Sequence, residues 1–117
     1  MLRLWRATIN SRNGLAFAIR SEQAIREEIG ALIAALPLAW LVGVTLMRRV
    51  ELVAMVGMVL VVELLNTAIE KLSDRLTTEH DLAIGRVKDL GSAAVGVALI
   101  TAAVFWLFAL AERIGAI

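Results

Sequence analysis

Glu63-Leu64-Leu65-Asn66-Thr67-Ala68-Ile69-Glu70-Lys71-Leu72-Ser73-Asp74 sets polar groups into an apolar run at helical spacing. Glu63, Asn66, Glu70 and Asp74 follow one another by steps of three, four and four. On a helix they fall within one stripe about 80° wide. From Leu52 to Ile69 the chain is otherwise apolar, so this segment reads as a membrane-spanning helix with a polar stripe near one end. A carboxylate at the centre of such a helix costs about 2.5–3.5 kcal/mol. Two carboxylates and an amide on one stripe therefore point to a site that binds a cation or moves a proton. The competing reading is a polar contact between helices, and for Asn66 alone both readings stand. Glu63 and Glu70 lie about 10 Å apart along the axis, too far for both to ligate one small ion directly. Glu70 is nearer the water, and Glu63 lies deeper towards the acyl region.

The flanks extend the same reading. Gly30 to Met47 carries no charge and contains the only proline, Pro37; Leu90 to Ala111 is a second uncharged run. Spans are expected at about 30–47, 52–70 and 90–111, since a hydrocarbon core of about 30 Å takes about 17–25 helical residues. Arg48, Arg49 and Glu51 are expected in a tight turn, and residues 71–89 in one long loop. The 117 residues set an upper bound of one domain, 1–117, and 60% of them are hydrophobic, with a mean hydropathy of +0.81. A soluble domain this short could not bury so much apolar surface. Disorder is excluded by the same composition. The absence of Cys excludes a disulfide scaffold and a thiolate metal site. A net charge of +1 offers no electrostatic case for nucleic acid.

Charge sets the orientation. Arg3, Arg6, Arg12, Arg20 and Arg26 precede the first span, and Lys71, Arg75, Arg86 and Lys88 lie between the second and third. The other side carries only Arg48, Arg49 and Arg113. The positive-inside rule then places the N-terminus and residues 71–89 in the cytoplasm. Residues 1–29 are charged throughout and lack the apolar core of a signal peptide. Leu2, Trp5 and Ile9 recur at helical spacing with Arg3, Arg6 and Arg12 off that stripe, until Gly14 interrupts. This reads as a short amphipathic helix on the membrane surface, or else as a basic anchor to the first span. The fold class expected is all-α integral membrane: a surface helix and three spans. Three spans shelter little interior, and Ser92 with Gly96 makes a small-xxx-small face, so an oligomer is expected.

Other polar residues are less decisive. Glu22, Glu27 and Glu28 precede the first span, and Glu22 sits where a surface helix could fold back beside Glu70. Spacing alone does not choose among the three. Lys88 and Asp89 read locally as a snorkelling Lys and a helix-start Asp, though such a Lys can also neutralise phosphate. His80 has no partner at metal-ligand spacing. Soluble nucleotide-binding motifs and acyl-transfer sets are absent.

Glu63 to Asp74, together with Gly85-Arg86-Val87-Lys88-Asp89-Leu90-Gly91-Ser92-Ala93-Ala94-Val95 and the weaker Gly14–Glu22, resembles the prokaryotic diacylglycerol kinases over nearly the whole chain. The resemblance implies a homotrimeric enzyme of the bacterial inner membrane, with sites shared between subunits. It would move the γ-phosphoryl of Mg-ATP directly to the primary hydroxyl of diacylglycerol, giving phosphatidic acid. By the same resemblance Glu63 is the general base, and Glu22 and Glu70 hold magnesium. Nucleotide contacts fall to Arg3, Asn10, Glu22, Glu70, Glu79, His80, Asp81, Lys88 and Asp89. Lipid contacts and positioning fall to Arg3, Ser11, Glu63, Asn66 and Ser92. The chain departs from the family pattern at Asn10 and Arg12, where some members carry aromatics. It departs again at His80-Asp81, where an aromatic–His pair is common. Two rivals are an undecaprenol kinase, whose relatives share the Glu63–Lys71 run, and a small ion-coupled transport subunit built on the same carboxylates. A third is a purely structural membrane protein.

Overall fold

A computed structural model describes residues 1–77 and 79–117. Its elements are four helices: α1, Leu2–Ser21; α2, Gln23–Val42; α3, Leu46–Leu76; and α4, Leu82–Arg113. α3 and α4 have 31 and 32 residues and are long and apolar enough to cross a membrane. At 1.5 Å per residue each runs about 45–50 Å, well beyond a hydrocarbon core of about 30 Å. α2 is shorter and opens with Arg26, Glu27 and Glu28. All-helical architecture suits lipid, because every backbone bond is made inside its own segment.

Local chemistry explains where the helices stop. Glu22 is extended, with φ −124° and ψ 116°, and breaks the chain between α1 and α2. The Arg26 guanidinium donates to the carbonyls of Ile19 (2.8 Å) and Arg20 (3.3 Å), satisfying groups left open at the end of α1. Thr45 caps α3, its Oγ1 accepting from the Arg48 amide at 3.1 Å. Asp81 caps α4 in the same way, accepting from the Ile84 amide at 3.1 Å.

Three boundaries differ from the sequence expectation. Gly14 does not interrupt α1. One exposed glycine costs a helix about 1 kcal/mol relative to alanine, too little to break twenty residues. The turn before α3 lies at 43–45, so Met47, Arg48, Arg49 and Glu51 belong to α3 itself. Gly43 permits that turn, since a Cβ there would strike the Arg49 side chain. Arg49 reaches back instead, donating to the Gly43 carbonyl at 3.1 Å and covering the Trp40 ring at 3.9 Å. Lastly, the expected loop 71–89 is mostly helix: α3 runs to Leu76, and α4 begins at Leu82. Its mixed charges are polar helix ends, not a linker.

The packed core is small and lies towards the 43–45 turn. Ala39, Leu52 and Ala109 are buried there, with Val42, Val53, Phe105 and Trp106 against them. Trp106 Nε1 donates to the Leu52 carbonyl at 3.2 Å. Arg48 pairs with Glu51 at 2.7 Å and Glu112 at 2.8 Å, and Arg113 donates to the Leu41 carbonyl at 2.8 Å. These contacts tie the ends of α2 and α4 to the start of α3. Leu52 has no exposed surface. Leu52→Ala is therefore expected to cost about 2–5 kcal/mol, read as a lower unfolding midpoint in a denaturing-detergent titration. A midpoint unchanged from the parent would show that this core does not hold the bundle. Elsewhere large apolar side chains stand exposed along every helix, including Trp5, Leu65, Leu90 and Leu107. A surface of this kind is covered by lipid or by other protein.

Candidate active site

The polar stripe lies on α3 and turns towards the first half of α4. Glu63 and Asn66 are half-buried, while Glu70 and Asp74 are exposed. Asp74 Oδ1 accepts from Lys88 of α4 at 2.5 Å. One turn further along α4, Gly91 is buried against the Asn66 amide. Asn66 Nδ2 donates to Glu70 Oε1 at 3.4 Å, and Asn66 Oδ1 is buried without a hydrogen-bond partner among the described residues. A buried acceptor left unpaired costs about 1–3 kcal/mol. An orphan of this kind in the middle of a carboxylate stripe marks a place where a ligand donor or cation would be welcome.

Of the three acids before the first expected span, the structure distinguishes each. Glu22 lies beside α3, where its Oε1 meets Lys71 Nζ at 2.8 Å; Lys71 also stands 5.2 Å from the Phe17 ring centre. Glu27 accepts from Gln23 Nε2 at 2.9 Å on the surface of α2. Glu28 is half-buried and feels the charge of Glu63, which in turn feels that of Glu70. Glu28 thus joins the acidic row, which its place in the sequence did not reveal. Lys71 was also missed as a partner for Glu22. The available signal was that an acid beside a membrane-facing helix needs a counter-ion.

Two hollows flank the stripe. One, of about 560 Å³, runs between α1 and α3 and is lined by Ser11, Leu15, Phe17, Leu64, Thr67 and Lys71. Its walls are apolar apart from Lys71 and a few hydroxyls. The other, of about 340 Å³, lies at the α3–α4 connection and gathers Asp74, Glu79, His80, Asp81 and Lys88. The candidate nucleotide residues Glu79, His80, Asp81 and Lys88 are therefore neighbours. Asp89 and Ser92 are exposed on α4, either side of Leu90 and the buried Gly91. Arg3 and Asn10 are exposed on α1, and among the described residues no hydrogen bond or ion pair joins them to the other candidates.

The described residues contain no ready-made cage of three or more acidic, His or Cys side chains. That still suits magnesium, which binds through one or two carboxylates plus phosphate oxygens and retained waters. Glu70, with the unpaired Asn66 oxygen beside it, offers the hard oxygen donors required.

The family described as prokaryotic diacylglycerol kinase matches residues 9–110, from within α1 to near the end of α4. The diacylglycerol kinase of Escherichia coli (strain K12) is 39% identical over 113 residues, covering 97% of this chain and 93% of that protein. The diacylglycerol kinase of Pseudomonas aeruginosa is 38% identical over 104 residues, covering 89% and 85%. That of Haemophilus influenzae is 36% identical over 100 residues, covering 86% and 85%. The matched region contains the whole α3 stripe, the Glu22–Lys71 pair, the Asp74–Lys88 pair and Gly91. By this extent of similarity, the chain belongs to the prokaryotic diacylglycerol kinase family.

Proposed function

We propose that this chain is an ATP-dependent lipid kinase that phosphorylates the primary hydroxyl of diacylglycerol to give phosphatidic acid. The observation that carries the reading is the Glu63–Asn66–Glu70 stripe facing the Lys88 end of α4, in a chain of this family. The hydroxyl oxygen bonds to the γ-phosphorus, and the bond from that phosphorus to the β–γ bridging oxygen breaks, releasing ADP. Glu63 takes the hydroxyl proton. Its depth in α3 suits a nucleophile that cannot leave the lipid, while Glu70 lies nearer the water that brings nucleotide. The α1–α3 groove, lined by Ser11, is a suitable place for the acyl chains, and Ser92 of α4 is assigned to the lipid headgroup by the family resemblance. The hollow beside Glu79, His80, Asp81 and Lys88 takes the nucleotide, with Asp89, Arg3 and Asn10 completing its contacts.

Glu70 and Glu22 are the residues that would hold magnesium, which supplies neutralisation of phosphate charge when bound. Glu22 is engaged by Lys71, so it joins that set once the ion pair opens. Lys88 is likewise engaged by Asp74 and turns to phosphate as nucleotide arrives.

The setting proposed is a homotrimer in the bacterial inner membrane. α2 serves as a third span beside α3 and α4, and α1 lies along the cytoplasmic surface. Two features support this. The basic residues of α1 and of the α3–α4 connection lie at the end away from Arg48, Arg49 and Arg113, in line with the positive-inside rule. The exposed apolar faces also exceed what a lone chain can cover with its own side chains.

Phosphate transfer from γ-labelled ATP in mixed micelles, with diacylglycerol and undecaprenol in parallel, tests the reading. Labelled phosphatidic acid is expected, and its loss when a chelator removes magnesium. Label on undecaprenol alone would keep the chemistry and replace the substrate. No transfer to either lipid from a folded oligomer would overturn the kinase reading in favour of transport.

A further inference from the structure

Gly91 stands apart from most of the chain's glycines. A Cβ added at Gly14, Gly30, Gly57, Gly85 or Gly96 would meet nothing within 4 Å. At Gly91 it would collide with Asn66 Oδ1 and come within 3.4 Å of Asn66 Cγ, with Ile69 Cδ1 at 3.8 Å. The close approach of α4 to α3 is therefore made against a polar amide, not against an apolar side chain. That amide is weakly held. Among the described residues its oxygen has no hydrogen-bond partner, and its nitrogen makes one long bond, 3.4 Å, to Glu70. Its orientation is set mainly by the space that Gly91 leaves.

We infer that Gly91 is a positioning residue for phosphoryl transfer, acting through Asn66: its missing side chain is the seat that holds the Asn66 amide towards Glu70. This rests on the reading that Asn66 belongs to the site. α4 has little freedom to recede from an added methyl. One turn before Gly91, Lys88 is joined to Asp74 until nucleotide arrives. Beyond it, Trp106 bonds the Leu52 carbonyl and Glu112 pairs with Arg48. With α4 held at Lys88 before nucleotide arrives and anchored at its far end throughout, the displacement falls on the amide. The bond to Glu70, already long, is the one that breaks.

The test compares Gly91→Ala, Gly57→Ala, Asn66→Ala and the Gly91→Ala/Asn66→Ala double variant in the full oligomer. Gly91→Ala is expected to lower kcat about 10- to 100-fold, the scale on which small misplacements act, with the lipid KM unchanged. The selectively labelled Asn66 side-chain amide resonances are expected to move in Gly91→Ala and to stay in place in Gly57→Ala, which retains parent activity. In the Asn66→Ala background, Gly91→Ala is expected to add no further loss, because the contact is already gone. Parent activity in Gly91→Ala beside an inactive Asn66→Ala would overturn the inference alone. Equal losses from Gly91→Ala in both backgrounds would also overturn it, showing ordinary packing. Full activity in Asn66→Ala would overturn the placing of Asn66 in the site, and this inference with it. If Gly91→Ala does not assemble, the double variant decides: recovered assembly supports the contact, and continued failure overturns it.

Discussion

Glu63→Gln is expected to stop phosphoryl transfer while leaving magnesium-dependent ATP binding intact. The substitution keeps the volume and planarity of the side chain but removes its capacity to take a proton. Loss of a general base lowers a rate by about 10²–10⁴-fold. The fold has little reason to suffer. Glu63 makes no hydrogen bond or ion pair among the described residues. Its neighbours in charge are the carboxylates Glu28 and Glu70, so the neutral amide relieves repulsion. Thermal stability should hold or rise. The experiment pairs single-turnover transfer from γ-labelled ATP with calorimetric binding of ATP in magnesium. Transfer within threefold of the parent would remove Glu63 from the role of base. Loss of ATP binding alongside transfer would instead make it part of the nucleotide site.

Glu70→Gln should act on the other half of the reaction. Its amide oxygen can still accept from Asn66 Nδ2, so that hydrogen bond survives. Only the negative charge is lost. Because even indirect partners of a bound metal are worth about 10–100-fold in affinity, the magnesium concentration for half-maximal ATP binding should rise by at least that factor. ATP affinity at saturating magnesium should recover in part. An unchanged magnesium titration would exclude Glu70 as a ligand. A variant with a normal titration but slow transfer would place the Glu70 charge in the transfer step and not in metal binding. The two substitutions separate cleanly: one leaves binding and removes transfer, the other weakens binding through the metal.

The stripe of α3 was legible in the sequence because helical periodicity is a property of neighbouring residues. Glu63, Asn66, Glu70 and Asp74 share a face on any helix, whatever packs against it. The family motif followed from the same run. The boundaries were less legible. Arg48, Arg49 and Glu51 look like a turn by charge alone, yet Thr45 caps α3 before them and Gly43 gives Arg49 room to fold back. Residues 71–89 look like a loop by polarity, yet Asp81 caps a helix that starts eight residues before the apolar run. A polar helix end and a polar loop have similar composition. A cap separates them, and its importance shows only when its hydrogen bond is seen.

The site divides along the same line. The sequence by itself determined that the chain is helical and membrane-bound in character, that its carboxylates lie on one face, and which family it joins. Each of these follows from hydropathy, spacing and motif, which are local and survive any arrangement of the helices. Only the tertiary structure decided that Glu22, not Glu27, meets Lys71, that Asp74 holds Lys88, and that the Asn66 amide rests on Gly91. Those pairings join residues from 14 to 49 positions apart, as with Asp74–Lys88 and Glu22–Lys71. They depend on the register at which one helix packs on another. That register is set by small residues, caps and a handful of interhelical bonds acting together, and no stretch of sequence states it alone.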